Sequence, residues 1–199
     1  MTLNDVDAVV AVHRAAFAGF FLTGLGSAFL RALYTSILED PNGLVFISEA
    51  DGRMNGFVAG ATVSQAFYRR ILLRRWWRFA AASVLPVLRS PAVAFRLLGE
   101  LRRVRRQPIP HRGMLLSLVV APSGQSQGVG RQLTDAFLQE AFRQGLASVE
   151  LTTDAVDNER VNRFYLKYGF RRNHTFTTRQ GRLMNEYVYF LGTQSDEPR

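Results

Sequence analysis

None of the 199 residues is cysteine, so a disulfide framework, a zinc–thiolate centre and a cysteine nucleophile are all excluded. Lysine occurs once, at Lys167, and no Gly-x-x-x-x-Gly-Lys-Ser/Thr stretch exists, which argues against a nucleoside triphosphatase built on a phosphate-binding lysine loop. Long apolar runs are missing too. The uncharged stretch from Ala15 to Leu30 is shorter than the roughly 20 apolar residues of a spanning helix, and Gly19, Thr23, Gly24, Gly26 and Ser27 interrupt it. The N-terminus, MTLNDVDAVV, lacks the basic region, apolar core and small-residue cleavage site of a secretory signal. The expectation is a soluble, cytoplasmic chain. His13, His111 and His174 fall at no metal-ligand spacing, so no metal is expected.

What is present is apolar material in quantity: 47% of residues are hydrophobic and 12% aromatic, enough for the core of one domain over 1–192, with a polar tail at 193–199. Acidic residues are scarce in one place. Between Ala66 and Arg112, 12 arginines face Glu100 alone, so the formal charge of +9 resides in that segment and the remainder is slightly acidic.

Hydrophobic periodicity predicts a first helix capped by Asn4 or Asp5, with Val6, Val9, Val10, His13 and Phe17 inward, and a second with Phe29, Leu30, Leu33, Tyr34 and Ile37 inward. Two strands follow, Leu44 to Ala50 and Met54 to Val63, joined through Asp51-Gly52 as a tight hairpin. Residues 65–112 read as a helical, arginine-rich insertion. Arg70, Arg74 and Arg78 recur at helical spacing beside Trp76 and Trp77, and Ser90-Pro91 opens a helix with Val93, Leu97, Leu101 and Val104 on one face. Met114 to Ala121 is apolar apart from Ser117, as in a strand covered on both faces. A helix with Val129, Leu133, Phe137 and Ala141 on one stripe comes next, then a strand from Ser148 to Thr153. A helix from Asn158 to Tyr168, with Val161, Phe164 and Tyr168 inward and Gly169 as its cap, leads to the strands Phe170 to Thr178 and Leu183 to Leu191.

The junction Gln125-Ser126-Gln127-Gly128-Val129-Gly130-Arg131 lies between a strand and a helix N-terminus. Unpaired amides and the helix dipole make such a place an anion site, and Gly128 and Gly130, lacking Cβ, let phosphate oxygens approach the main chain. Arg131 adds a charged donor at the rim. The dinucleotide fingerprint fails, because position 133 is Leu where a third glycine is needed.

The same stretch fits Gln/Arg-x-x-Gly-x-Gly/Ala. Asn158-Glu-Arg-Val-Asn-Arg-Phe-Tyr165-Leu-Lys-Tyr-Gly169-Phe170 fits Asn-x-x-Ala-x-x-x-Tyr-x-x-x-Gly-Phe, with Val161 in the alanine place. On these two motifs, in this order and on these elements, the chain resembles the GNAT superfamily of acyl-CoA-dependent N-acetyltransferases. The resemblance is strong over 113–171 and weaker over 6–64. It implies a mixed α/β fold: a mostly antiparallel sheet of about six strands with a splayed parallel central pair, helices on both faces, and the insertion as an addition. It further implies that Leu118, Val119 and Val120 pair with the pantetheine of acetyl-CoA, that Ser126 to Arg131 hold its pyrophosphate, that Asn158 meets the pantetheine arm, and that Tyr165 protonates the departing thiolate. Val119 or Val120 would supply an N–H to the thioester oxygen. The acceptor would be an amine attacking directly in a ternary complex.

Two departures accompany the resemblance. The superfamily usually begins with a strand before its first helix, whereas Met1 stands three residues before Asn4, so either that strand is missing or the gene starts upstream. No carboxylate occupies the threonine positions of Glu150-Leu-Thr-Thr-Asp154 where a general base is often found, leaving Glu150, Asp154 or an ordered water chain. The arginines at 70, 74, 75 and 78 suit an anionic acceptor such as an amino-sugar nucleotide, or an acidic membrane surface at the inner face. The competing expectation is that Trp76, Trp77, Phe79 and Leu97 pack a lid or a homodimer contact. Protein N-termini and lysine side chains remain open as acceptors. A nucleic-acid-binding module, or a non-catalytic coenzyme A binder, would leave the motif tyrosine without a task; nucleic acid is not the expected partner.

Overall fold

A computed structural model describes residues 1–18, 21–63, 67–89, 109–178 and 181–192. Six strands form one sheet: β1 (Gly43–Ala50), β2 (Arg53–Ala61), β3 (Arg112–Val120), β4 (Ser148–Asp154), β5 (Arg171–Thr177) and β6 (Leu183–Phe190), in the order β1-β2-β3-β4-β6-β5. Every neighbouring pair is antiparallel except β3 and β4. The hairpin between β1 and β2 turns through Asp51 and Gly52, both at positive φ, the geometry that the Asp-Gly step favours.

Alternation along β2 divides the core in two. Phe57 and Ala59 join a cluster with α1 (Val6–Ala16) and α3 (Gly26–Leu38), while Val58 joins one with α6 (Val129–Arg143) and α7 (Glu159–Tyr168). The predicted inward stripes of α1, α3 and α6 are buried; Phe17, just past α1, is half-buried against the same core. The start of α1 differs from the expected cap: the Asp5 carboxylate turns back to accept from the N–H and hydroxyl of Thr2, around a short 3-10 turn, and Asn4 caps nothing. On α7 the inward face centres on Tyr165, 6% exposed, with Phe164 and Tyr168 half-buried beside it. Val161, expected inward, is 38% exposed, because the stripe runs through 164, 165 and 168 and leaves 161 at its edge.

The first part of the insertion is helical. After the short helix α2 (Phe21–Gly24), α3 and the hairpin, the chain forms α4 (Phe67–Arg74) and α5 (Trp76–Arg89), which join the first core cluster through Phe67, Ile71 and Phe79, the last in a tilted ring pair with Phe29 of α3. The expected Ser90-Pro91 cap and the helix carrying Val93, Leu97, Leu101 and Val104 lie outside the described residues. Three of the four arginines singled out above are bound within the fold. Arg70 pairs with the buried Asp40 at 2.8 Å, and Arg78 with Glu39 at 2.9 Å; Arg75 also pairs with Glu39. Acids at the end of α3 thus take up the side chains that were expected to meet an anionic acceptor.

One buried polar chain crosses the first core. His13 on α1 is 2% exposed, its Nδ1 lies 2.7 Å from the Tyr34 hydroxyl, and that hydroxyl donates to Ser117 Oγ on β3 at 3.4 Å. Burial holds the imidazole at a pKa of about 4 instead of 6.5, so it is neutral at pH 7. Between those values the unfolded chain binds a proton that the folded chain does not. Stability from this group is therefore complete above pH 6.5 and falls by about 3 kcal/mol as pH drops to 4. Urea unfolding of wild type and His13→Asn near neutrality and near pH 4.5 is expected to show the gap between them shifting toward the variant by about 2 kcal/mol at the lower pH; a constant gap contradicts this.

Candidate active site

β3 and β4 run side by side for three residue pairs only, Arg112 with Ser148, Gly113 with Val149 and Met114 with Glu150. Beyond Met114, β3 stays on β2 and β4 stays on β6, so the two strands open into a fork. A cleft of about 90 Å³ lies at its base, lined by Met114, Leu115, Leu116, Glu150, Leu151 and Thr152. The opening coincides with an irregularity: Ala59 pairs with Ser117 and Gly60 with Leu115, leaving Leu116 as an extra residue in β3.

Strand alternation fixes which main-chain groups face the fork. Ala121 N–H donates to Asn55 O of β2 at 2.8 Å, so Val119 and Ser117, two and four residues back, also turn toward β2. Leu118 and Val120 then direct N–H and C=O to the open edge. The expectation for Val119 is corrected accordingly: its main chain is engaged by the neighbouring strand.

β3 ends in a 3-10 turn at Pro122–Gly124, and the loop runs through Gln125, Ser126, Gln127 and Gly128, all exposed, into α6. Ser126 and Gly128 take positive φ, 64° and 79°. The amides of Ser126, Gly128, Val129, Gly130 and Arg131 donate to no acceptor among the described residues; the first helical bond is Gln132 N–H to Gly128 O at 3.0 Å. A concave set of free N–H groups at a helix N-terminus has the chemistry of a phosphate cradle. Arg160, missed in the sequence, belongs beside it: its guanidinium donates to Gln125 Oε1 at 3.0 Å, bringing the start of α7 to the loop. Its place two residues after Asn158 was the available signal.

Asn158 stands at the N-cap of α7, and its Nδ2 donates to Thr153 Oγ1 at 2.7 Å and Asp154 O at 3.1 Å. The Asn158 amide nitrogen is therefore engaged within the fold, and Oδ1 is what this side chain can still offer a pantetheine arm. Asn162, one turn later, makes four hydrogen bonds: it donates to Asp154 O and Asn158 O and accepts from Asn185 Nδ2 and the Tyr187 hydroxyl, at 2.9 to 3.0 Å. That residue clamps α7 to β4 and β6, and so sets the position of Tyr165 in the next turn.

Tyr165 lies in the core cluster that contains Leu151 and against which Leu118 and Val120 pack, with the rings of Phe164, Phe170 and Tyr187 around it at 5.3 to 5.9 Å. Its hydroxyl has no hydrogen-bond partner among the described residues. Burial pushes the phenol far above its ordinary range, so it stays protonated at any working pH.

The two candidate carboxylates separate clearly. Asp154 is held at the strand end by both nitrogens of the Arg182 fork, at 2.6 to 3.0 Å. Glu150 is 5% exposed, lines the fork, and pairs with Arg112 at 3.4 Å. Thr153 Oγ1, at one of the two threonine positions, accepts from Asn158 Nδ2. A larger hollow of about 540 Å³, bordered by Arg131, Asp135, Tyr168 and Tyr189, lies along the outer side of α6; apart from Arg131 it contains none of the residues that form the fork or the amide loop.

The model of the acetyltransferase (GNAT) family matches residues 11–170, and the chain belongs to that family, the acyl-CoA-dependent N-acetyltransferases. Among solved structures it is similar to an N-acetyltransferase from Staphylococcus aureus Mu50, with 16% identity, a TM-score of 0.63, and 96% of this chain and 95% of that one covered. It is also similar to the ribosomal-protein-S18-alanine N-acetyltransferase from Escherichia coli, at 14% identity and a TM-score of 0.60, covering 100% and 96%. A third is the paia N-acetyltransferase from Thermoplasma acidophilum in complex with coenzyme A, at 15% identity and a TM-score of 0.57, covering 95% and 96%. These likenesses concern the fold. No curated protein matches the chain. No helix among the described residues is long and apolar enough to cross a membrane.

Proposed function

We propose that the chain transfers the acetyl group of acetyl-CoA to a primary amine by direct attack in a ternary complex, with the fork as the meeting place. The observation that carries this reading is the alignment of one open strand edge with the free amides of the adjoining loop. Those amides, with Arg131 and Arg160 at the rim, would hold the pyrophosphate. Leu118 and Val120 would pair with the pantetheine as an added strand does. When bound, acetyl-CoA supplies the activated acyl carbon.

The chain's own residues then handle polarity and protons. An N–H of Leu118 or Val120 would stabilise charge on the carbonyl oxygen as the amine nitrogen bonds to carbon. Tyr165, protonated and without a hydrogen-bond partner among the described residues, would give its proton to the sulfur as the carbon–sulfur bond breaks. The amine arrives as an ammonium and must lose a proton; Glu150 is the carboxylate at the base of the fork and the residue proposed to receive it, directly or through water.

The acceptor proposed here is a cationic amine. A buried carboxylate at the fork favours an ammonium, and the ion pairs of Arg70, Arg75 and Arg78 withdraw the support that these residues lent to an amino-sugar nucleotide. The test is a panel of an aminoglycoside, a polyamine, peptides with a free N-terminus or a lysine, and an amino-sugar nucleotide, each incubated with acetyl-CoA. The expected result is thiol release that saturates with at least one cationic amine and matches N-acetyl product mole for mole. Thiol release that no amine accelerates, in a protein that binds coenzyme A, would show a binding module instead of an enzyme.

A further inference from the structure

α4 and α5 meet at Arg75, and there the chain turns three large apolar side chains outward. Leu73 is 59% exposed, Trp76 66% and Trp77 44%. Phe67, Ile71 and Phe79 on the same two helices are buried in the first core cluster, at 0%, 1% and 5% exposure. The helix pair thus has two apolar surfaces, of which the described residues cover one.

The helix pair itself carries charge of one sign. Residues 67–89 contain six arginines and neither aspartate nor glutamate. Glu39 and Asp40 neutralise part of that charge, two acids against Arg70, Arg75 and Arg78. Arg74, between Leu73 and the tryptophans in sequence, has no acidic partner among the described residues. The same ion pairs tie the corner to the end of α3, so its outward side chains project from a fixed base.

We propose that this corner is an interfacial anchor that docks the protein on an anionic lipid bilayer. Leu73, Trp76 and Trp77 enter the boundary between headgroups and acyl chains, and the surrounding arginines meet the lipid phosphates. Tryptophan suits that boundary because its ring is apolar and its N–H polar. A stacking platform for single-stranded nucleic acid is the less favoured occupant, because the Arg78 guanidinium already lies over the Trp77 ring, 5.3 Å from its centroid. The anchor does not depend on the transfer chemistry.

Trp76 and Trp77 are the only tryptophans in the chain, so intrinsic tryptophan emission reports on this corner alone. The experiment titrates the full chain with vesicles of phosphatidylcholine and of phosphatidylcholine mixed with phosphatidylglycerol, following emission and co-sedimentation. The expected result is a blue shift and sedimentation with the anionic vesicles only, weakened by salt. Sedimentation of Trp76→Ser/Trp77→Ser is expected to be weaker by about tenfold or more, with coenzyme A affinity unchanged as the control for folding. Tyr165→Phe is expected to sediment as wild type does, which separates failure of this proposal from failure of the catalytic reading. Equal sedimentation of wild type and the double variant, or none of the wild type, overturns the proposal. So does binding of oligonucleotides in place of vesicles, or a concentration-dependent dimer that the double variant loses.

Discussion

Tyr165→Phe is expected to lower kcat by about 100- to 1,000-fold, the range of a lost general acid, while coenzyme A affinity and unfolding free energy stay within experimental scatter of wild type. The separation follows from the hydroxyl's surroundings. It has no hydrogen-bond partner among the described residues, so removing it strands no donor or acceptor, and the ring keeps its contacts with Phe164, Phe170 and Tyr187. The pH profile carries a second signature. Burial raises the phenol's pKa, so the acid is present throughout the ordinary range and no fall in rate below pH about 10 is assigned to it. Any rise in rate with pH belongs to the amine and its base. Stopped-flow thiol release with calorimetric binding of coenzyme A checks both parts; a variant with wild-type kcat removes Tyr165 from the chemistry.

Substitution of Gly130 is expected to separate ligand binding from folding. A Cβ there would meet Val120 Cγ2 at 3.6 Å and Phe164 Cζ at 3.7 Å, ordinary contacts, and its φ is not in the left-handed region. Alanine in the first turn of α6 is therefore expected to leave stability unchanged or raise it by up to about 1 kcal/mol. Coenzyme A affinity is expected to fall about tenfold, the equivalent of one charge-assisted hydrogen bond, and with Gly130→Val about 100-fold. Gly128 has a different requirement: at a φ of 79° with open space around it, alanine there costs about 1 kcal/mol of stability through backbone strain. Thermal unfolding beside calorimetry distinguishes the two; unaltered coenzyme A affinity in Gly130→Val contradicts the proposed role of the loop.

The core helices, the hairpin and the covered strand at 114–121 were legible because each rests on local pattern, whereas the opening of the central strands came from the resemblance. The stripes of α1, α3 and α6 obey helical spacing, Asp51-Gly52 demands its turn, and the apolar Met114 to Ala121 run requires cover on both faces. Motif spacing gave the loop and Tyr165 their candidate roles. What sequence could not give was pairing across distance. Whether Arg70, Arg75 and Arg78 meet a ligand or Glu39 and Asp40 depends on how α4 and α5 lie on α3. The inward engagement of Asn158, the four-bond clamp of Asn162 and the link from Arg160 to Gln125 likewise arise only when α7, β4 and β6 come together. Strand direction had to be known before Val119 could be turned toward β2 and Leu118 and Val120 toward the fork.

The most direct measurement is amide NMR of the isotopically labelled protein titrated with coenzyme A. The account predicts large shifts for the N–H groups of Ser126, Gly128, Val129, Gly130 and Arg131, and for Leu118 and Val120, with Ser117 and Val119 little changed. Saturating binding that leaves the loop amides where they were, or that perturbs only residues around the hollow beside α6, would contradict it.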